Sequence, residues 1–126
     1  MTAILVVDDQ KELRAVVRRV LTEAGHEVAE AEDGDAALAA FRANPPALVI
    51  TDIIMPEKAG IEVIATMKRE RPEVKVLAMS GGGRHRVMDF LAIAREAGAD
   101  AALEKPFRKS ELLARVAELI GPALPS

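Results

Sequence analysis

The chain has 126 residues, half of them hydrophobic, which is the length of one domain with enough apolar material for a buried core. It contains no cysteine, so disulfides, thiolate catalysis and zinc-thiolate sites are excluded. A net charge of −3, three Phe and no Tyr or Trp argue against a surface that grips a phosphate backbone or stacks bases.

The first element is an apolar run, Ile4-Leu5-Val6-Val7. Unbroken rather than alternating apolar runs belong to strands covered on both faces, as in a parallel sheet. Leu13, Val16, Val17, Val20, Leu21 and Ala24 then recur at helical spacing, and Gly25 stands where a helix ends. A weaker strand signal at Val28-Ala29 precedes a second helical stripe, Ala36, Ala37, Ala40 and Phe41, opened by Asp33-Gly34 and stopped by Asn44-Pro45-Pro46. Leu48-Val49-Ile50 is the third strand, and Ile61, Ile64, Ala65 and Lys68 begin a helix closed by Pro72. Val76-Leu77-Ala78-Met79 follows, then Val87, Phe90, Leu91 and Ala94 at helical spacing up to Gly98. Ala101-Ala102-Leu103 and the stripe Leu112, Leu113, Val116, Ala117 and Ile120 complete the pattern before Gly121-Pro122. Five successive βα units predict an α/β fold: a parallel sheet with helices on both faces, joined by right-handed crossovers. Residues 1–121 are expected to form the domain and residues 122–126 a frayed tail. No stretch reaches the roughly 18 apolar residues of a membrane span, and no signal peptide is visible, so a cytoplasmic protein without membrane or direct nucleic-acid partners is expected.

Ligands of doubly wound sheets bind beyond the C-terminal strand ends. There the sequence places Asp8-Asp9, Thr51-Asp52, Ser80-Gly81-Gly82-Gly83 and Glu104-Lys105-Pro106. Each has a plainer reading alone: Asp8-Asp9 as a helix cap, Asp52 as a turn residue before Met55-Pro56, the Ser80 run as a loop, Lys105 as a solvated lysine. Four such groups at the ends of four different strands favour a joint reading. Three converging carboxylates repel one another unless a cation joins them, and hard oxygen donors suit Mg²⁺. A lysine opposite them makes sense if a phosphoryl group lands between, and an Asp carboxylate can itself attack phosphorus.

The constellation resembles the receiver domain of two-component response regulators along essentially the whole chain. The matching stretches are Ile4-Leu5-Val6-Val7-Asp8-Asp9, Thr51-Asp52-Ile53-Ile54-Met55-Pro56 with Gly60 following, Met79-Ser80-Gly81, Gly98-Ala99-Asp100-Ala101 and Lys105-Pro106-Phe107. The resemblance implies a flavodoxin-like, five-stranded parallel sheet of order 2-1-3-4-5. It implies Asp52 as phosphoacceptor and Mg²⁺ (or Mn²⁺) held by Asp9, Asp52 and the Ile54 backbone carbonyl, with Asp8 acting through a metal-bound water. Ser80, with Gly81, and Lys105 would contact the phosphoryl group, and the Lys105-Pro106 bond is expected to be cis. The implied donor is a sensor histidine kinase or phosphotransfer protein. The chemistry is limited to self-phosphorylation from phosphodonors and slow self-dephosphorylation, so the chain is not expected to be an enzyme.

Three departures qualify the resemblance. Ala102 stands where the family carries an aromatic readout residue, three positions before the lysine. The segment Gly81-Gly82-Gly83-Arg84-His85-Arg86 reads either as room for a longer fourth helix or as a basic docking edge. Ile54, apolar after the acceptor, suggests a long-lived phosphoryl state. His26 and His85 have no second ligand at metal spacing and read as surface residues. Met55, Met67, Met79 and Met88 read as packing, and Phe107 as a wall beside the site. With the chain ending about twenty residues after Lys105, the expected output is contact with another protein, as monomer or weak dimer; Arg108, Lys109 and Arg115 fit either a dimer contact or a solvated face. Two alternatives remain: a phosphorylation-independent interaction module on the same scaffold, and an Mg²⁺-dependent aspartate-nucleophile phosphatase. The latter lacks an acid two residues after Asp52, where Ile54 stands.

Overall fold

The computed structural model describes residues 3–53, 60–80, 92 and 94–121, with Ser80 described by its backbone alone. In chain order the elements are β1 (Ala3–Val7), α1 (Lys11–Glu23), β2 (Glu27–Ala31), α2 (Gly34–Ala43), β3 (Leu48–Asp52), α3 (Gly60–Glu70), β4 (Lys75–Ser80), β5 (Ala101–Glu104) and α4 (Lys109–Ile120). Residues 94–97 are also helical; the stripe positions Val87, Phe90 and Leu91 lie outside the described residues. All strand pairs are parallel and the sheet order is β2-β1-β3-β4-β5, the order expected from the resemblance.

Side chains alternate across a strand, so each apolar run serves two cores at once. Ile4, Val6, Leu48, Ile50, Leu77, Met79 and Leu103 face α1 and α4, where Val17, Leu21, Leu112 and Val116 meet them. Leu5, Val7, Val49, Val76 and Ala78 face α2 and α3, against Leu38, Phe41, Ile64 and Met67. That two-sided burial is why β1, β3 and β4 read as unbroken apolar runs. β2, at the sheet edge, leaves alternate residues more exposed and gives the weaker signal.

Local chemistry sets several element ends. The Asp33 carboxylate caps α2 by accepting the Ala36 N–H at 2.7 Å. At the start of α4 the Arg108 N–H donates to the Glu111 carboxylate at 2.8 Å. The third helical stripe is wider than its spacing indicated, since Val63 and Met67 are also fully buried. Lys68, assigned to that stripe, spans the bottom of the fold: its ammonium donates to the Val74 carbonyl at 2.6 Å and pairs with Asp100 at 2.9 Å, while Asp100 accepts the Val76 N–H at 2.8 Å.

Three expectations need correction. Ala36, placed on the second stripe, is exposed, and Leu38 is buried there beside Ala37. Val16 is 56% exposed: one step from Val17 is about 100° around a helix, which carries it off the packed face. His26 is buried, not a surface residue. The chain turns at Gly25, the His26 N–H donates to the Leu21 carbonyl at 3.1 Å, and the imidazole lies in a groove with Ala24, Leu113 and Ala117. Its Nδ1 has no hydrogen-bond partner among the described residues, and burial holds its pKa below the ordinary 6.5.

Candidate functional site

The two-residue period of the strands decides which side chains meet. Ile4 and Val6 face α1 and α4, so Asp8, the next residue of the same parity, leaves the strand on that face. Leu48 and Ile50 lead in the same way to Asp52, and Leu103 leads to Lys105. Parallel pairing brings all three to one edge. The Lys105 ammonium lies 3.0 Å from Asp8 Oδ2 and 2.9 Å from Asp52 Oδ2. Asp9 joins them from the loop after β1, and the carboxylate oxygens of Asp8, Asp9 and Asp52 lie within 4.8 Å of one another.

Asp8 is completely buried, and its polar atoms are correspondingly satisfied. Its N–H donates to the Ala31 carbonyl at 3.1 Å, the last rung towards β2. Oδ1 accepts the Gln10 N–H at 2.8 Å and Oδ2 accepts from Lys105. Asp8 therefore does not cap α1 in the ordinary way; the N-cap is Gln10, whose side chain makes no cap bond. The Asp8 carbonyl, beyond the end of the ladder, accepts Arg14 Nη1 at 2.7 Å. Asp52 is 5% exposed, and the next residue ties β3 to β4 through Ile53 N–H to the Met79 carbonyl at 3.0 Å. Burial acts against the charge on Lys105, but hydrogen bonds and attraction from Asp52 and Asp8 outweigh it and hold the ammonium pKa above its ordinary value.

Three carboxylates against one ammonium leave the edge acidic. Acidic groups on open surface are common, but Asp8 and Asp52 are buried, where like charges are costly without a counter-ion. Their oxygen-only donor set fits a hard divalent cation. Ser80 closes β4 beside this edge, in register with Glu104. Ala102 is half-buried in β5 opposite Ala78, Gly60 begins α3, and the Lys105-Pro106 bond is cis. Phe107 packs against the α1/α4 core. Ile54, Met55, Pro56 and Gly81, with Gly82 to Arg86 and Met88, lie outside the described residues.

Sequence reasoning did not single out Arg14 or Glu30. Arg14 Nε pairs with Glu30 Oε1 and Arg18 Nη1 with Glu30 Oε2, both at 2.8 Å. Burial raises the Glu30 carboxyl, but hydrogen bonds and charge from Arg14 and Arg18 overcome this and hold it below the ordinary carboxylate range. Only the parallel neighbours β1 and β2 bring residues 14 and 30 together, so no spacing in the sequence flags them.

No helix among the described residues is long and apolar enough to cross a membrane. In comparisons with known proteins, residues 4–117 match the response regulator receiver domain. The transcriptional regulatory protein TcrA of Mycobacterium tuberculosis is 39% identical over 116 residues, covering 92% of this chain and 45% of TcrA, so the chain spans about half of that relative. Protein CcdB of Bacillus subtilis is 35% identical over 122 residues, covering 96% of this chain and 99% of CcdB. Among solved structures, the receiver domain of NtrX from Brucella abortus superposes with a TM-score of 0.87 at 34% identity, covering 93% of this chain and 97% of that one. Sheet order, the edge carrying Asp8, Asp9, Asp52 and Lys105, and these matches lead to one statement: the chain belongs to the response regulator receiver domain family.

Proposed function

We propose that the chain is a phosphoacceptor switch in which Asp52 takes a phosphoryl group from a histidine kinase, a phosphotransfer protein or a small acyl phosphate. Receiver domains are signalling modules that work with such donors and bind Mg²⁺ at an acidic cluster. The observation that carries the reading is the group of buried Asp8 and Asp52 with exposed Asp9, their oxygens within 4.8 Å of one another and Lys105 bonded to Asp8 and Asp52.

In this reading Asp9, Asp52 and the Ile54 carbonyl would hold Mg²⁺, with Asp8 acting through a bound water. The ion, when bound, supplies neutralising charge for the transferring oxygens. An Asp52 carboxylate oxygen attacks the donor phosphorus; the donor's P–N or P–O bond breaks, and the electron pair leaves with the imidazole or carboxylate. Lys105, already against Asp52, pairs with the phosphoryl oxygens, and Ser80 and the Gly81 backbone donate to them. Water attack on phosphorus later releases inorganic phosphate and restores the carboxylate. The new contacts favour one conformer of the Ser80 edge, and a downstream protein reads that conformer. With Ala102 in place of an aromatic residue, readout falls to the segment after β4.

The test is incubation with Mg²⁺ and acetyl phosphate, followed by intact mass. The wild type is expected to gain one phosphoryl group and Asp52→Ala none. A wild type that gains none from acetyl phosphate or a phosphohistidine donor, or an Asp52→Ala variant labelled at the normal rate, would overturn the assignment.

A further inference from the structure

We infer that Arg14 is a positioning residue for the acidic edge, and that Glu30 holds Arg14 in place. The inference rests on the phosphoacceptor reading and adds residues to the same site.

Strand β1 ends at Val7, and Asp8 makes one more rung to β2 through its N–H. Its carbonyl lies past the last β1–β2 pair, Val7 with Ala31. A buried carbonyl needs a donor, and in this fold the donor is a guanidinium. Arg14 stands in the first turn of α1, and its side chain is only 13% exposed. It binds two different objects with separate nitrogens: Nη1 reaches the Asp8 carbonyl at 2.7 Å and Nε reaches Glu30 Oε1 at 2.8 Å. A rigid planar fork can do this, whereas a lysine ammonium on a flexible stem is poorly suited to it. The other Glu30 oxygen accepts Arg18 Nη1, a contact that does not reach Asp8. The chain of contacts runs from β2 through Arg14 to the main chain of Asp8. There the Asp8 side chain is set by the Gln10 N–H and by Lys105. Loosening the carbonyl frees the peptide that carries both Asp8 and Asp9.

Charge and geometry predict opposite signs for this residue, which makes the inference testable. A cation beside a divalent-metal site repels the metal, so removing it on charge alone tightens Mg²⁺ binding. If Arg14 instead fixes the carboxylates, removing it weakens binding, and the loss of a group that orients metal ligands typically costs about 10–100-fold in affinity.

The experiment is calorimetric Mg²⁺ titration of the full chain as wild type, Arg14→Ala, Arg14→Lys and Arg18→Ala, with amide exchange at Gln10 in the metal-free proteins. Arg18→Ala removes the second Glu30 contact but leaves the Asp8 carbonyl bonded, so it controls for loss of an ion pair. We expect Arg14→Ala to raise the Mg²⁺ Kd about tenfold and to speed Gln10 exchange. Arg14→Lys should recover only part of the affinity, and Arg18→Ala should stay within about twofold of wild type. An unchanged or lower Kd in Arg14→Ala beside a wild type that binds, or equal effects of Arg14→Ala and Arg18→Ala, would overturn this inference alone. A wild type that binds no Mg²⁺ would overturn the phosphoacceptor reading together with it.

Discussion

Lys105 holds together two carboxylates that would otherwise repel each other in a buried setting. Its side chain is only 14% exposed, and both its partners are buried more deeply still. Truncating it removes the ammonium from both Asp8 and Asp52, and breaking a buried ion pair by removing one member costs about 3 kcal/mol. Lys105→Ala is therefore expected to unfold at lower urea than wild type by about that amount in metal-free buffer. Saturating Mg²⁺ should restore more stability to the variant than it adds to the wild type, because the ion takes over the neutralising role. Equal Mg²⁺ stabilisation of the two proteins would show that ammonium and metal do not share the same carboxylates.

At the scale of elements, legibility follows burial. β1, β3 and β4 could be read directly because both faces are covered, whereas β2 alternates and was marked only by Val28-Ala29. The acidic edge was legible because Asp8, Asp52 and Lys105 each sit just past an apolar run. The Arg14–Glu30 bridge was not, since it depends on which strands are neighbours and not on spacing along the chain. His26 was misread for a related reason: a lone polar residue after a helix end gives no sign that α4 will cover it. The turn into β5 supplies a test of its own. Gly98 has φ +124°, and a Cβ there would stand 2.8 Å from Lys68 Cγ, in the side chain that joins α3 to Val74 and Asp100. Gly121, at φ +80°, has open space around it. Gly98→Ala should cost about 2 kcal/mol in urea unfolding, through backbone strain plus displacement of Lys68. Gly121→Ala should cost less, having the strain without the collision; equal costs would remove Lys68 from the account.

For the molecule as a whole, stability should depend on pH through His26 before any carboxylate is titrated. Its folded pKa lies below 6.5, so the unfolded chain takes up a proton near 6.5 while the folded protein does not. Stability is therefore full above that pH and declines as pH falls from 6.5 towards the folded pKa, then stops declining from this cause. Glu30, held below its ordinary 4.5 by Arg14 and Arg18, adds stability present above 4.5 that is lost as pH falls through its folded value. The imidazole window opens at 6.5 and the carboxylate window at 4.5. Urea midpoints measured between pH 7.5 and 5 (about the span of the imidazole titration) should fall for wild type and stay nearly flat for His26→Asn; parallel slopes would place the titrating group elsewhere. The contacts of Lys105 also bear on how the chain is divided. All three carboxylates of the edge come from residues before β4, and the ammonium that answers them arrives with β5, separated from Asp8 by 97 positions. Cut between β3 and β4, the chain yields one fragment with the anions and another with their counter-charge, so a balanced pocket exists only after both halves of the sheet have closed against each other. The site therefore doubles as a record that folding has finished, and a chain still open along the β3–β4 seam cannot present it.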